Sequence, residues 1–297
     1  MPSFIILTLL WLQAAGQPPA AAPPPAPAPG AAQGAAESPS EAVDARVART
    51  ASIARDCAAL LGADTSLAPL APLCNSALAY SFTLPNFICD QHIDRHVSIT
   101  SSGFLPAPDV ITAQVTFQDG VEHYSNINLN GSPVRGGLLD LRGMDSVGEF
   151  GSLLSGIFKP REATRFVFRK EAKAQAVDAL IYEYHITSEN NHMWHWLEDG
   201  HEVAPAIGGE VWVEKATGAL RRFLIQKEPG GPKTLTDNAN ITIEYADVQL
   251  GEAGTFRLPS RSEVVACGHG RCNRNLLRFA NCHKFVARGR LILEPEK

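Results

Sequence analysis

Between Gly209 and Lys227 the chain reads GEVWVEKATGALRRFLIQK, a period-two segment, a corner and a second segment running back. Val211 and Val213 point to one face and Trp212 to the other. Lys215-Ala216-Thr217-Gly218 supplies a short loop whose glycine can take positive φ. A hairpin of this kind commits its strands to antiparallel pairing, and similar patterns flank it on both sides. Val110 to Phe117 and Val121 to Leu129 meet across Asp119-Gly120. Thr164 to Lys170 and Ala179 to Thr187 each alternate one aromatic face against a second face. Asn240 to Leu250 changes its apolar face near Ala246, which predicts a bulge, and Arg261 to Cys267 and Asn275 to Val286 complete the series.

The first part of the chain follows different periods. Phe4 to Leu12 is an apolar run followed by small residues, the pattern of a cleaved secretory leader over 1–16. Nine apolar residues are too few to span a bilayer, so no transmembrane segment is expected after cleavage. Residues 17–40 are almost entirely Ala, Pro, Gly and Gln and predict an extended tether. Residues 41–297 then form one domain. Glu41 to Leu61 and Leu67 to Leu84 carry apolar residues at three- and four-residue spacing and predict two helices, and Val147 to Phe158 predicts a third. The fold class is therefore α+β and mostly antiparallel. It is one large, strongly curved sheet, a half-barrel of about nine to eleven strands, with two N-terminal helices and one inserted helix.

Six cysteines behind a leader belong to an oxidising compartment, secreted or periplasmic, where pairing is the default. Locality favours Cys57 with Cys74 and Cys267 with Cys272. Cys89, on the first strand of the domain, is then left to Cys282 on the last. Cys267, His269, Cys272, Cys282 and His283 also offer nitrogen and sulfur for zinc, but the spacing lacks paired C-x-x-C knuckles, and disulfides are the expected state. His192, His195 and His201 form no strand-compatible ligand set.

No nucleophile elbow, Walker loop, dinucleotide fingerprint or calcium loop occurs, so no catalytic residue and no cofactor or metal is assigned. Glu210, Glu214, Glu244 and Asp247 lie on strands without a spacing that pairs them for glycoside chemistry. A formal charge of −5 gives no nucleic-acid footprint. The aromatic residues are more informative. Trp194 and Trp196, Tyr182 and Tyr184, Phe166 and Phe168 pair along their strands, and Trp212 belongs to the next hairpin. If these faces line the concave side of a curled sheet they form an apolar trough for a lipid, a lipoprotein or a hydrophobic peptide. Packing against the helices explains the same residues without a ligand.

The order of motifs resembles a loose group of secreted bacterial proteins that come with no assigned activity. The motifs are LPNFxC over Leu84 to Cys89, GEFGSLLxxIF over Gly148 to Phe158, GxVWVxxxTGxLxR over Gly209 to Arg221, and NxxxFxNCxxF over Asn275 to Phe285. In fold it is similar to the outer-membrane lipoprotein carriers and receptors of LolA/LolB type and to periplasmic domains of RseB/MucB type. That similarity implies a lipid or lipoprotein ligand in the hollow, and it carries no binding residue over to this chain. Three functions follow as expectations. The first is an exported, non-enzymatic binding protein with its ligand against the aromatic set. The second is a cell-envelope interaction module with a solid core that meets a protein partner. The third is a metal-binding hydrolase built on the C-terminal Cys/His cluster.

Overall fold

The computed structural model describes residues 5–7, 39–98, 109–141, 143–144, 146–174, 176–198, 201–229, 234 and 236–285. The expected leader over 1–16, apart from residues 5–7, and the tether, apart from its last two residues, lie outside them.

In chain order the elements are β1 (Ile5–Leu7), α1 (Pro39–Leu61), α2 (Ala71–Thr83), β2 (Phe87–Ser98), β3 (Asp109–Gln118), β4 (Val121–Leu129) and β5 (Ser132–Pro133). After these come α3 (Ser152–Gly156), β6 (Arg165–Ala174), β7 (Val177–Ile186), β8 (His195–Glu198) and β9 (His201–Val203). The last are β10 (Ile207–Glu214), β11 (Leu220–Lys227), β12 (Asn238–Gln249), β13 (Thr255–Gly268) and β14 (Arg271–Lys284). Eleven strands form one antiparallel sheet in the order β5-β4-β3-β2-β14-β13-β12-β11-β10-β7-β6, while β8 lies between β1 and β9 in a small sheet of its own.

The large sheet is open and curled, and three aromatic contacts show the curl. Phe150, just before α3, meets Phe87 of β2 at 5.6 Å and Phe279 of β14 at 4.7 Å. Eight residues later Phe158 stacks on Phe166 of β6 at 5.3 Å. In a flat sheet β14 and β6 would lie six strand spacings apart, about 29 Å. A largely coiled segment of eight residues reaches only about 12 Å at helical rise. The sheet has therefore wrapped around the segment that carries these two rings. Helix α2 closes the trough from above. Its C-terminal end meets the β3–β4 turn, where a Cβ at Gly120 would fall 2.6 Å from Ser81 Cβ. Its N-terminal end meets the β10–β11 loop, where a Cβ at Gly218 would fall 3.4 Å from Pro72.

The buried positions follow the predicted periods. Ile53, Cys57 and Leu61 recur every four residues on α1, and Leu73, Cys74 and Ala77 face inward on α2. On the strands every second residue is buried, as in Ile111, Ala113, Val115 and Phe117 of β3 or Ile241, Ile243 and Tyr245 of β12. The register of β12 shifts between Glu244 and Tyr245, one residue from the predicted bulge.

The inserted helix is shorter than its apolar spacing suggested. Only Ser152–Gly156 is α-helical, because Gly148 and Gly151 adopt φ of 101° and 144° and hold the preceding residues in turns. Leu67 to Leu84 also divides, into a 3₁₀ turn over Thr65–Leu70 and α2, with Pro72 in the first turn of α2. Trp194, expected on one strand with Trp196, lies just outside it, since β8 begins at His195.

The cysteines pair as Cys57–Cys74, Cys89–Cys282 and Cys267–Cys272. Cys267 and Cys272 are direct partners across the β13–β14 ladder. Cys282 reaches Cys89 through a bulge: the register slips between Ala280 and His283, and Asn281 takes φ of 53°. This places the first and last strands of the large sheet side by side.

A second close approach explains a glycine pair in the central hairpin. The Tyr184 hydroxyl of β7 donates to the Leu224 carbonyl of β11 at 2.9 Å, passing over Gly209 of the intervening β10. A Cβ at Gly209 would fall 1.9 Å from that carbonyl oxygen and 3.0 Å from the tyrosine oxygen. Gly209→Ala is expected to lower unfolding stability by about 1–3 kcal/mol in urea denaturation. Replacing both Cys89 and Cys282 by Ala, which opens a 193-residue separation, is expected to cost about 5 kcal/mol. Replacing Cys267 and Cys272, separated by five, should cost about 2 kcal/mol.

Candidate functional site

A pocket of about 780 Å³ opens at the mouth of the trough, between α2, the β3–β4 hairpin and the α3 segment. Its apolar lining comes from Ala77, Leu78, Phe117 and Met193, with the ring of Tyr80. The ring is held from two sides. It meets Phe117 edge-on at 5.5 Å, and it lies on Gly151, where a Cβ would fall 2.2 Å from the tyrosine Cδ1. Gly151 thus serves the pocket twice, by its positive φ and by its missing side chain.

Four basic residues, Arg49, Lys159, Arg161 and His192, also line the pocket. Three of them are engaged. Arg49 stacks over Phe82 at 4.4 Å and approaches Ser81 Oγ at 3.5 Å. Arg161 Nε donates to the fully buried Glu162 at 3.0 Å, and the other oxygen of Glu162 accepts the His192 backbone N–H at 2.8 Å. Lys159 forms no ion pair among the described residues, and burial pulls its pKa down.

Behind the pocket wall lies an acidic cluster. Glu122 lines the pocket; one carboxyl oxygen accepts the Tyr124 hydroxyl at 2.7 Å and the Gly148 N–H at 3.2 Å. Glu149, fully buried, accepts the Ser146 hydroxyl with Oε1, while its Oε2 has no hydrogen-bond partner among the described residues. The hydroxyls of Tyr80 and Tyr245 lack partners as well. Burial, followed by the charge of Glu149, pushes the Glu122 carboxyl up to about 7. Glu149 is raised by burial too, and Tyr245 is raised by burial and by both carboxylates. Among the described residues no cation forms an ion pair with Glu122 or Glu149.

The seven aromatic residues singled out from sequence do not share one face, and none of them lines this pocket. Phe166, Phe168, Tyr182 and Tyr184 pack on the inner face: Phe166 lies 6.2 Å from Tyr184, Phe168 lies 5.5 Å from Tyr182, and Tyr184 lies 5.8 Å from Phe223. Trp194 and Trp196 are buried against each other at 5.4 Å. Trp196 Nε1 donates to Glu198 at 2.7 Å, while Trp194 is set by a residue that sequence reasoning passed over. Asn191 donates to the carbonyls of Trp194 and Pro205 at 2.6 and 2.8 Å, and its Oδ1 accepts the Trp194 N–H at 3.0 Å. Trp212 occupies the opposite face of the sheet, with Nε1 on Glu210 at 2.6 Å and Arg222 over its ring at 5.1 Å.

His195 is nearly buried, 3.4 Å from Glu202, and burial lowers its pKa. All six thiols are consumed in bridges, including those of the C-terminal Cys/His cluster. Among the described residues no group of His, Cys, Asp or Glu is arranged to hold a metal ion. No helix of those residues is long and apolar enough to cross a membrane. Glu122 and Glu149 were absent from the sequence expectations because they stand 27 positions apart with nothing local to link them.

A raised carboxyl pKa favours the native state at low pH. The folded chain holds more protons than the unfolded chain between the ordinary value of 4.5 and about 7, so stability present below that window declines as pH rises through it. Denaturation midpoints measured from pH 4 to 8 are expected to fall over this range, and Glu122→Gln is expected to flatten the fall.

No family model matches the chain, and no curated protein matches it. Among solved structures it is similar to a DUF1329 family protein from Desulfovibrio piger ATCC 29098, at 10% identity over 71% of this chain and 90% of that one, TM-score 0.36. It is similar to a domain described as an outer membrane lipoprotein-sorting protein from Vibrio parahaemolyticus, at 11% identity over 71% and 90%, TM-score 0.34. The Pseudomonas aeruginosa MucA/MucB complex matches at 13% identity over 69% and 92%, TM-score 0.20. At these scores the likeness is one of outline and brings no function with it. A lipoprotein-sorting domain and a MucB complex are thus among the structures similar in outline, the two groups to which the expected fold was likened.

Proposed function

We propose that the chain is an exported binding protein that holds the apolar part of a lipid, lipoprotein or hydrophobic peptide in the pocket between α2 and α3. The observation that carries the reading is the pocket itself: about 780 Å³, floored by Ala77, Leu78, Phe117 and Met193 and open at the trough mouth. Its volume lies in the range of about 300–1,000 Å³ that ligand sites occupy. The leader pattern and three bridges support delivery to an oxidising compartment of the cell envelope. In this reading the inner-face aromatic residues Phe166, Phe168, Tyr182 and Tyr184, with Trp194 and Trp196, form the rigid shoulder behind the site. Trp212 stands on the outer surface and takes no part in the pocket.

A second reading, a protein partner in the envelope, draws on α1. Val43 and Val47, one helical turn apart, are 60% and 63% exposed, an apolar stripe on a helix whose inward face begins only at Ile53.

Two measurements test the first reading. Protein taken from its native compartment should release a stoichiometric apolar compound on solvent extraction and mass spectrometry. A fluorescent acyl probe should bind the purified chain, and Leu78→Trp, which fills the pocket from α2, should weaken that binding at least tenfold while preserving the circular dichroism spectrum. An empty extract together with no probe binding would remove the proposal.

A further inference from the structure

The pocket has two chemically different ends, set apart along α3. At one end Gly151 lies under the ring of Tyr80, and at the other Gly156 lies under Met193, where a Cβ would fall 2.9 Å from the methionine Cβ. Glu122, the acidic residue of the lining, belongs to the Gly151 end, because it accepts the Gly148 N–H just before α3. Past Met193 the lining changes character. Lys159, Arg161 and His192 supply it there.

Short distances assemble this second end. A 3₁₀ turn over Pro160–Glu162 follows Lys159, and the Glu162 N–H donates to the Lys159 carbonyl at 3.0 Å. The fully buried Glu162 carboxylate then clasps two stretches of chain. Its Oε1 accepts Arg161 Nε at 3.0 Å; its Oε2 accepts the His192 backbone N–H at 2.8 Å and lies 3.8 Å from His192 Nδ1. Three basic side chains therefore meet at one end of the cavity.

The carboxylate that gathers them is spent, and the bases are not. Arg161 engages Glu162 through Nε and makes no further hydrogen bond among the described residues, which leaves its two terminal nitrogens available. His192 Nδ1 lies 2.8 Å from the Asn190 carbonyl, an acceptor, so Nδ1 carries the proton and Nε2 has no partner among the described residues. Lys159 is half-buried, and burial followed by the like charge of Arg161 pulls its pKa down. Basic residues on a convex surface are ordinarily satisfied by water. These line an apolar-floored cavity, and one of them is held partly out of water with no ion pair among the described residues, so this end is short of negative charge.

We propose that the Lys159, Arg161 and His192 end of the pocket receives the anionic head group, a carboxylate or a phosphate, of an amphiphile whose apolar portion lies along Met193, Leu78 and Phe117. The inference rests on the pocket reading above and names the head group of its ligand. The two terminal nitrogens of a guanidinium match two oxygens of either anion, and the lysine ammonium adds a compact charge. The Glu122 carboxyl at the opposite end disfavours the same group there, which fixes the direction of the ligand.

Calorimetric titration of the mature chain at pH 7 with decyl phosphate, decanoate, decanol and decylamine tests this directly. Each anion should bind about tenfold or more tightly than decanol, and decylamine should bind most weakly. The tighter of the two anions identifies the head group. Lys159→Gln, which leaves the Arg161–Glu162 pair in place, should reduce the preference for the anions over decanol to within about threefold, and Lys159→Arg should restore it. Equal binding of all four compounds, preference for decylamine, or full anion preference in Lys159→Gln would overturn the head-group assignment and leave the pocket reading standing. Inorganic phosphate binding as tightly as decyl phosphate would overturn the link to an amphiphile. Binding of none of the four decyl compounds would remove the pocket reading itself.

Discussion

The whole structure depends on one need, the burial of the apolar face of the large sheet. Three helices cannot cover a flat sheet of that width. The sheet solves this by wrapping its inner face around a short piece of chain, with Phe150 near its middle and Phe158 at its far edge. Every ring pair on the inner side, from Phe87 with Phe117 to Tyr184 with Phe223, belongs to the same buried cluster as the inward residues of α1 and α2. The pocket is where this wrapping leaves space, because α2 spans the mouth of the trough and α3 is too short to fill it.

The site has two chemical halves that arise from different parts of the chain. Its apolar floor comes from α2, the end of β3 and Met193, residues that already serve the core. Its acidic end comes from the β3–β4 hairpin and from a glycine-bearing turn, where backbone N–H groups such as that of Gly148 help to hold a carboxylate.

How far these features could be read from sequence depends on how local their causes are. Alternation along a strand and glycine at a hairpin corner are local, and the strands of the large sheet and the Glu244/Tyr245 bulge were readable from them; two sulfur pairs were readable from nearness in sequence, and Cys89–Cys282 followed as the remainder. The inserted helix misled because VGEFGSLLSGIF carries helical spacing, whereas Gly148 and Gly151 adopt backbone angles that spacing does not report. The tryptophan segment depended on Asn191, whose amide bonds to carbonyls 3 and 14 residues away replace a regular strand. Glu122 and Glu149 are neighbours only through tertiary folding. A buried acid pair leaves no trace in periodicity, and on β4 Glu122 looks like any outward polar residue.

The adjacency of β2 and β14 bears on how such a chain is assembled. A polypeptide delivered from its N-terminus, off the ribosome or through a membrane, presents β2 to β5 while the strand that must flank β2 is nearly two hundred residues behind. Those early strands have an open edge until β14 arrives. Vectorial synthesis therefore cannot proceed by finishing one half and then the other, and the growing chain spends its longest interval with a sticky border.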